Sequence, residues 1–134
     1  MIARPVVLVL AGLGWACGFG WACGAQAGEA AYRVCVGKVG ASDAALARCG
    51  DERIKRANAA LDEAFKSVLG DMPAETSKKA LMEEQAAWTA FREKSCLMFS
   101  SGDFSRDIEV VSFAVCRAGI IESRVKYLTG LMDN

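Results

Sequence analysis

Four cysteines constrain the fold of this chain more than any other feature. Cys35, Cys49, Cys96 and Cys116 are separated by 14, 47 and 20 residues. An even number of cysteines in an exported chain points to a disulfide framework. A zinc site built from four thiolates usually shows close C-x-x-C pairs, and these separations contain none. The local pairing, Cys35 with Cys49 and Cys96 with Cys116, is favoured. Each bond then closes a loop of about 15 to 21 residues, worth about 3 kcal/mol in the chain-entropy model. A crossed pairing stays open, because Cys96 falls near the end of one predicted helix and Cys116 about three turns into the next.

The expectation of export comes from the amino terminus. Arg4 is the only charged side chain before Glu29, and Val6 to Phe19 is an apolar run broken only by glycines. Ala25-Gln26-Ala27 supplies the small-x-small pattern read by signal peptidase. Residues 1–27 are therefore predicted to be a cleaved signal peptide and residues 28–134 the mature domain, with a periplasmic location. Cys17 and Cys23 are lost with the leader. Each has a glycine three positions before it (Gly14, Gly20), where a lipoprotein signal wants leucine or a similar residue.

Removing 27 of 134 residues leaves 107, enough for one domain with a modest core. Without Arg4 the mature part has 15 basic and 16 acidic residues, a net charge of −1. That balance implies neither a nucleic-acid nor a membrane partner. The chain has no histidine. This excludes Ser-His and Cys-His nucleophile pairs, histidine metal sites and a histidine proton shuttle. No cofactor or metal motif is present, and the domain is expected not to be an enzyme.

Helical periodicity dominates the rest. Gly28 to Ala41 shows no clear period and reads as an extended or loosely turned arm tied down by Cys35. A helix is predicted from Ser42, as N-cap, to about Leu69, with Gly70 as its left-handed exit. Its stripe runs through Leu46, Cys49, Ala57, Leu61, Ala64, Phe65 and Val68, broken at Arg53. Asp71-Met72-Pro73 restarts the chain. A second helix to about Phe99 carries Leu81, Gln85, Trp88, Phe91, Ser95 and Met98 on its inward stripe, with Trp88 and Phe91 expected at the core. Buried Gln85 and Ser95 would need partners. A last helix is predicted from Arg106 or Asp107 to about Thr129, with Arg117 and Arg124 interrupting its apolar face and Gly130 at its exit. The fold class is all-α: a small antiparallel bundle of about three long helices stapled by two disulfides.

Catalytic constellations are missing. Glu83 and Glu84 are neighbours and point about 100° apart on a helix, so they do not form a facing acid–base pair. The loop Ser100, Ser101, Gly102, Asp103, Phe104, Ser105, Arg106 is the longest connection between helices. It offers hydroxyls, an aromatic ring and a cation, and is the candidate interaction tip.

The run Glu84-Gln85-Ala86-Ala87-Trp88-Thr89-Ala90-Phe91-Arg92-Glu93-Lys94-Ser95-Cys96 resembles the signature AQ-x-x-W-x-x-[FY]-R-[DE]-x-x-C of the LprI-like lysozyme-inhibitor domain. Ala57-Asn58 through Leu61-Asp62 to Phe65 is similar to that family's AD-x-x-LN-x-x-Y segment. Cys116 followed by Arg124 and Leu128 is similar to its closing C…R-x-x-x-L, and Cys35 and Cys49 stand where its first two cysteines fall. The resemblance covers about residues 35 to 131. The chain departs from the pattern at Asn58 and Asp62 (amide and acid exchanged), at Phe65 (tyrosine in the pattern) and at Glu84 (alanine in the pattern). The resemblance implies a periplasmic, all-α, two-disulfide binding protein, with lysozyme as the protein partner and inhibition as the activity. Gln85, Trp88, Phe91, Arg92 and Arg124 would be its structural motif. Arg106 and the serines of the loop would enter the enzyme cleft, and Asp103, Asp107 and Glu109 would supply the local negative charge that a basic lysozyme attracts. A structural or adaptor module of the cell envelope, docking another protein, is the alternative.

Overall fold

The computed structural model describes residues 22–40 and 42–133. Of the expected leader, residues 1–21 lie outside them; residues 22–27 are helical, and that helix runs across the expected cleavage point between Ala27 and Gly28. Four helices occur among the described residues, not about three: α1 (Ala22–Val39), α2 (Asp43–Asp71), α3 (Glu75–Lys94) and α4 (Arg106–Gly130), with a 3-10 turn at Leu97–Ser100.

The additional helix is α1, where a loose arm was expected. Tyr32, Cys35, Val36 and Val39 recur at helical spacing and all are at least partly buried, Tyr32 fully. The stripe is narrow and interrupted by Gly37, so it is weak as a sequence signal. Tertiary attachment holds it: Cys35 is bonded to Cys49 of α2, with their Cα atoms 5.8 Å apart. Gly40, at φ +65°, makes the left-handed exit that a side chain would resist.

α2 and α4 form the centre and make the most extensive contact between helices. Small residues allow it. Gly50, Ala57 and Ala64 on α2 and Ala114 and Ala118 on α4 are all buried. A Cβ on Gly50 would lie 2.6 Å from that of Ala114, so only glycine fits there. Ala57, Leu61, Ala64 and Val68 of α2 make one core with Leu81 of α3 and Ile121 and Leu128 of α4. Both cross-helix register marks, Gly50–Ala114 and Arg53–Glu122, rise together, so α2 and α4 run the same way. α3 runs back between them in sequence: its Gln85 meets Arg124 and its Glu93 meets Arg117.

Three helix ends differ from expectation. Gly70 lies inside α2, which continues to Asp71. Pro73 stops it, because its ring disfavours helical backbone at the preceding residue, and Met72 is extended at φ −68°, ψ 128°. Gly130 likewise lies inside α4. α3 ends at Lys94 rather than near Phe99. Ser95 is extended and Cys96 adopts φ 68°, a left-handed conformation rare outside glycine, which turns the chain into the 3-10 segment. Cys96 is buried and bonded to Cys116, Cα atoms 6.0 Å apart. The early break absorbs the height difference that had kept a crossed pairing open.

Candidate functional site

Three regions are candidates: the motif on α3, the tip between α3 and α4, and the groove between those helices.

The motif residues converge except one. Arg124 Nε donates to Gln85 Oε1 at 2.9 Å, and its Nη1 donates to Glu84, which also pairs with it as an ion. The guanidinium lies 5.7 Å from the Trp88 ring centre and 4.8 Å from that of Tyr127. Arg92 stacks on the Trp88 ring at 5.5 Å, donates to Asn58 Oδ1 of α2 at 3.1 Å and pairs with Glu93. Gln85, Trp88, Arg92 and Arg124 thus tie α3 to both α2 and α4. Two departures from the family pattern take part: Asn58 accepts from Arg92, and Glu84 accepts from Arg124. Phe91 was expected in the core but is 58% exposed, and Met98 is 63% exposed. Trp88 is half-buried at the edge of the core. The cause for Phe91 is angular: Leu81, Gln85 and Trp88 already fill the inward line, and Phe91 falls on the side facing the groove.

Sequence reasoning missed the role of Arg53 and Arg117, both buried. Arg117 Nη2 donates to the backbone oxygens of Glu93 (3.4 Å) and Ser95 (3.1 Å), where the open carbonyls of α3 attract a cation. Arg53 pairs with Glu29 of α1 and Glu122 of α4, and its guanidinium lies 5.1 Å from the Tyr32 ring centre. The available signal was the interruption of an apolar stripe by arginine at positions 53, 117 and 124.

The tip is built rather than loose. Ser101 Oγ donates to Asp103 Oδ2 at 2.8 Å, the Gly102 N–H donates to Glu109 Oε1 at 3.0 Å, and Arg106 pairs with Glu109 Oε2 at 3.4 Å. The rings of Phe99 and Phe104 are 5.7 Å apart. The Cys96–Cys116 bond closes the base. Ser100, Ser101, Asp103, Phe104 and Arg106 are all exposed, and so are Leu97, Met98 and Ile108 beside them. Of the expected acidic patch, Glu109 is used internally, whereas Asp103 and Asp107 face outward. A hydrogen bond from the Ser105 hydroxyl, with another from the Ile108 N–H, lowers the Asp107 pKa, so this carboxylate stays charged.

The third region is an open groove of about 560 Å³ bounded by Trp88, Phe91, Val115, Ile120, Arg124 and Tyr127. Phe91, Val115 and Tyr127 are exposed on it. Among the described residues no group of three or more metal-ligating side chains comes together, and no helix is long and apolar enough to cross a membrane.

A small helical domain, stapled by two disulfides and tied through a Gln-Trp-Arg motif to a closing arginine, is the class of protein these features define. The chain belongs to the LprI family: the family model described as lysozyme inhibitor LprI matches residues 35–128. No curated protein matches the chain, and no solved structure does.

Proposed function

We propose that this chain is exported, processed after Ala27, and acts in the periplasm as an inhibitor that binds lysozyme-type muramidases through its tip. Membership of a family described as lysozyme inhibitors is the observation that carries this proposal. The tip adds physical support. Exposed Leu97, Met98, Phe104 and Ile108 gather around Asp103, Arg106 and Asp107 at one end of the bundle, apolar contact area beside charge, as binding surfaces require. Its internal bonds and the disulfide hold the shape in advance, which lowers the ordering cost of binding. A cleft with two catalytic carboxyl groups would receive the hydroxyls of Ser100 and Ser101 and the Arg106 cation, while outward Asp103 and Asp107 face the basic rim. Purified, oxidised protein titrated into a cell-wall lysis assay with c-, g- and i-type lysozymes tests this. Saturable inhibition of at least one type is expected; undiminished lysis at large excess would overturn it.

The groove between α3 and α4 favours a second role, an adaptor module that docks another envelope protein. Its exposed Phe91, Val115 and Tyr127 lie on α3 and α4 themselves, outside the connecting segment that forms the tip. Capture from a periplasmic extract that retains a reproducible non-lysozyme partner, and loses it with Phe91→Ser, would establish that role. Capture unchanged by Phe91→Ser would rule the groove out.

A further inference from the structure

Glu29, on α1, lies ahead of the span matched by the family model. There it meets a partly buried charge cluster centred on Arg53. Arg53, with its side chain 6% exposed, is paired on one side with Glu29 of α1 and on the other with Glu122 of α4. Arg33 pairs with Glu29 from the surface at 2.8 Å, and the hydroxyl of Tyr32 is neutral at ordinary pH. Among the described residues, Glu122 shares the Arg53 guanidinium with Glu29, which also has Arg33. Gly28 stands beside it: a Cβ on Gly28 would lie 4.0 Å from Glu122 Oε1. Gly28 is also the residue that follows the small-x-small pattern Ala25-Gln26-Ala27.

We infer that Glu122, with Glu29, forms a receptor for the α-ammonium group created when the chain is cut before Gly28, so that processing adds a cation beside these carboxylates and fixes α1 on the bundle. The inference rests on the proposed cleavage after Ala27. In that step a peptidase adds water across the Ala27–Gly28 amide. The hydroxyl goes to the Ala27 carbonyl carbon, the amide C–N bond breaks, and the Gly28 nitrogen leaves as an amine that takes a proton at neutral pH. The cut needs extended backbone, so it precedes folding of α1. The ammonium then sits at the new start of α1. Its own helix dipole disfavours a cation there and would lower the amine pKa. The Glu122 and Glu29 carboxylates act in the opposite direction. The sign of the shift therefore discriminates between an engaged and a free terminus.

Two measurements separate the two steps. The mass of protein purified from the periplasm after expression of the full chain reports the cut. A terminus at Gly28 is expected, and any other terminus overturns the processing step. The second measurement uses protein released at Gly28 from a fusion by a site-specific protease, and so does not depend on the first. The pH dependence of amine-selective acylation at Gly28 gives its pKa. A value about one unit above the ordinary α-amino range of about 7.7 to 8.0 is expected. Glu122→Gln should return it to that range or below; in protein that starts at Ala25, the Ala25 amine titrates instead and should do so in that range or below. A Gly28 amine that titrates at or below the ordinary range in the unsubstituted protein overturns the docking.

Discussion

Arg124 Nε and Gln85 Oε1, 39 residues apart, meet at 2.9 Å and lock α4 to α3. The same guanidinium holds Glu84 and lies between the Trp88 and Tyr127 rings. Truncating Arg124 removes all of these at once. Arg124→Ala is expected to cost about 2 to 4 kcal/mol, from lost packing of the arginine stem and lost charge-assisted hydrogen bonds. Arg124→Lys should cost about 1 to 2 kcal/mol, because an ammonium cannot serve Glu84 and Gln85 together as a planar fork does. Urea unfolding of the oxidised protein measures both. Equal stability of wild type and Arg124→Ala would refute the structural role.

Two helical glycines should respond in opposite senses to the same change. Gly50→Ala places a methyl group 2.6 Å from the Ala114 Cβ where α2 packs on α4. Overpacking there is expected to cost about 1 to 3 kcal/mol despite alanine's better helix propensity, and Ala114→Gly should recover part of it. Gly70 is helical with nothing within 4 Å of its Cβ position. Gly70→Ala should stabilise by about 0.5 to 1 kcal/mol. Thermal unfolding of the three variants checks the contrast.

Much of this was legible in the chain. Leu46, Leu61, Val68, Ile121 and Leu128 follow a helical period and are buried as that period requires. The cysteine spacings favoured the local pairing now seen. Other features depend on partners distant in sequence. α1 has too narrow an apolar face to declare itself; the disulfide and Arg53 hold it. The end of α3 at Lys94 needs Cys96 at positive φ, a conformation no local sequence signal specifies for cysteine. Arg53, Arg117 and Arg124 are visible only as breaks in apolar stripes, and each acquires meaning from a carboxylate, carbonyl or ring on another helix. At the tip, the residue types suggested exposure, but the use of Glu109 as an internal tie could not be read without its Gly102 and Arg106 partners.

Tyr32 predicts how α1 responds to alkali. Its hydroxyl is buried without a hydrogen-bond partner, and desolvation raises its pKa above the ordinary 10.0, against the pull of Arg53. A raised folded pKa means that the full contribution to stability is present below about pH 10 and is lost as pH rises from there through the folded value. Stability should therefore fall above pH 10, and Tyr32→Phe should flatten that part of the profile. At neutral pH the same variant should be within about 1 kcal/mol of wild type, since it deletes an unsatisfied group. An unchanged alkaline limb in Tyr32→Phe would count against this assignment.

The two disulfides should be separable by function. Replacing both Cys96 and Cys116 by serine opens a 20-residue loop, at a cost of about 3 kcal/mol, and loosens the base of the tip. Replacing Cys35 and Cys49 should destabilise comparably, but chiefly by releasing α1. Inhibition is expected to fall with the first pair and to persist, under conditions where the domain remains folded, with the second. Amide hydrogen exchange locates the loosened segment in each case.

The most direct test is a lysis titration comparing three proteins: wild type, Phe104→Ser at the tip and Phe91→Ser in the groove. Both substituted rings are exposed, so the fold should survive both changes. The expected result is saturable inhibition of a lysozyme by wild type, weakened at least about tenfold, or about 1.4 kcal/mol, by Phe104→Ser and unchanged by Phe91→Ser. Undiminished lysis with wild type at large excess, or inhibition lost with Phe91→Ser alone, would contradict the assignment of the tip as the inhibitory surface.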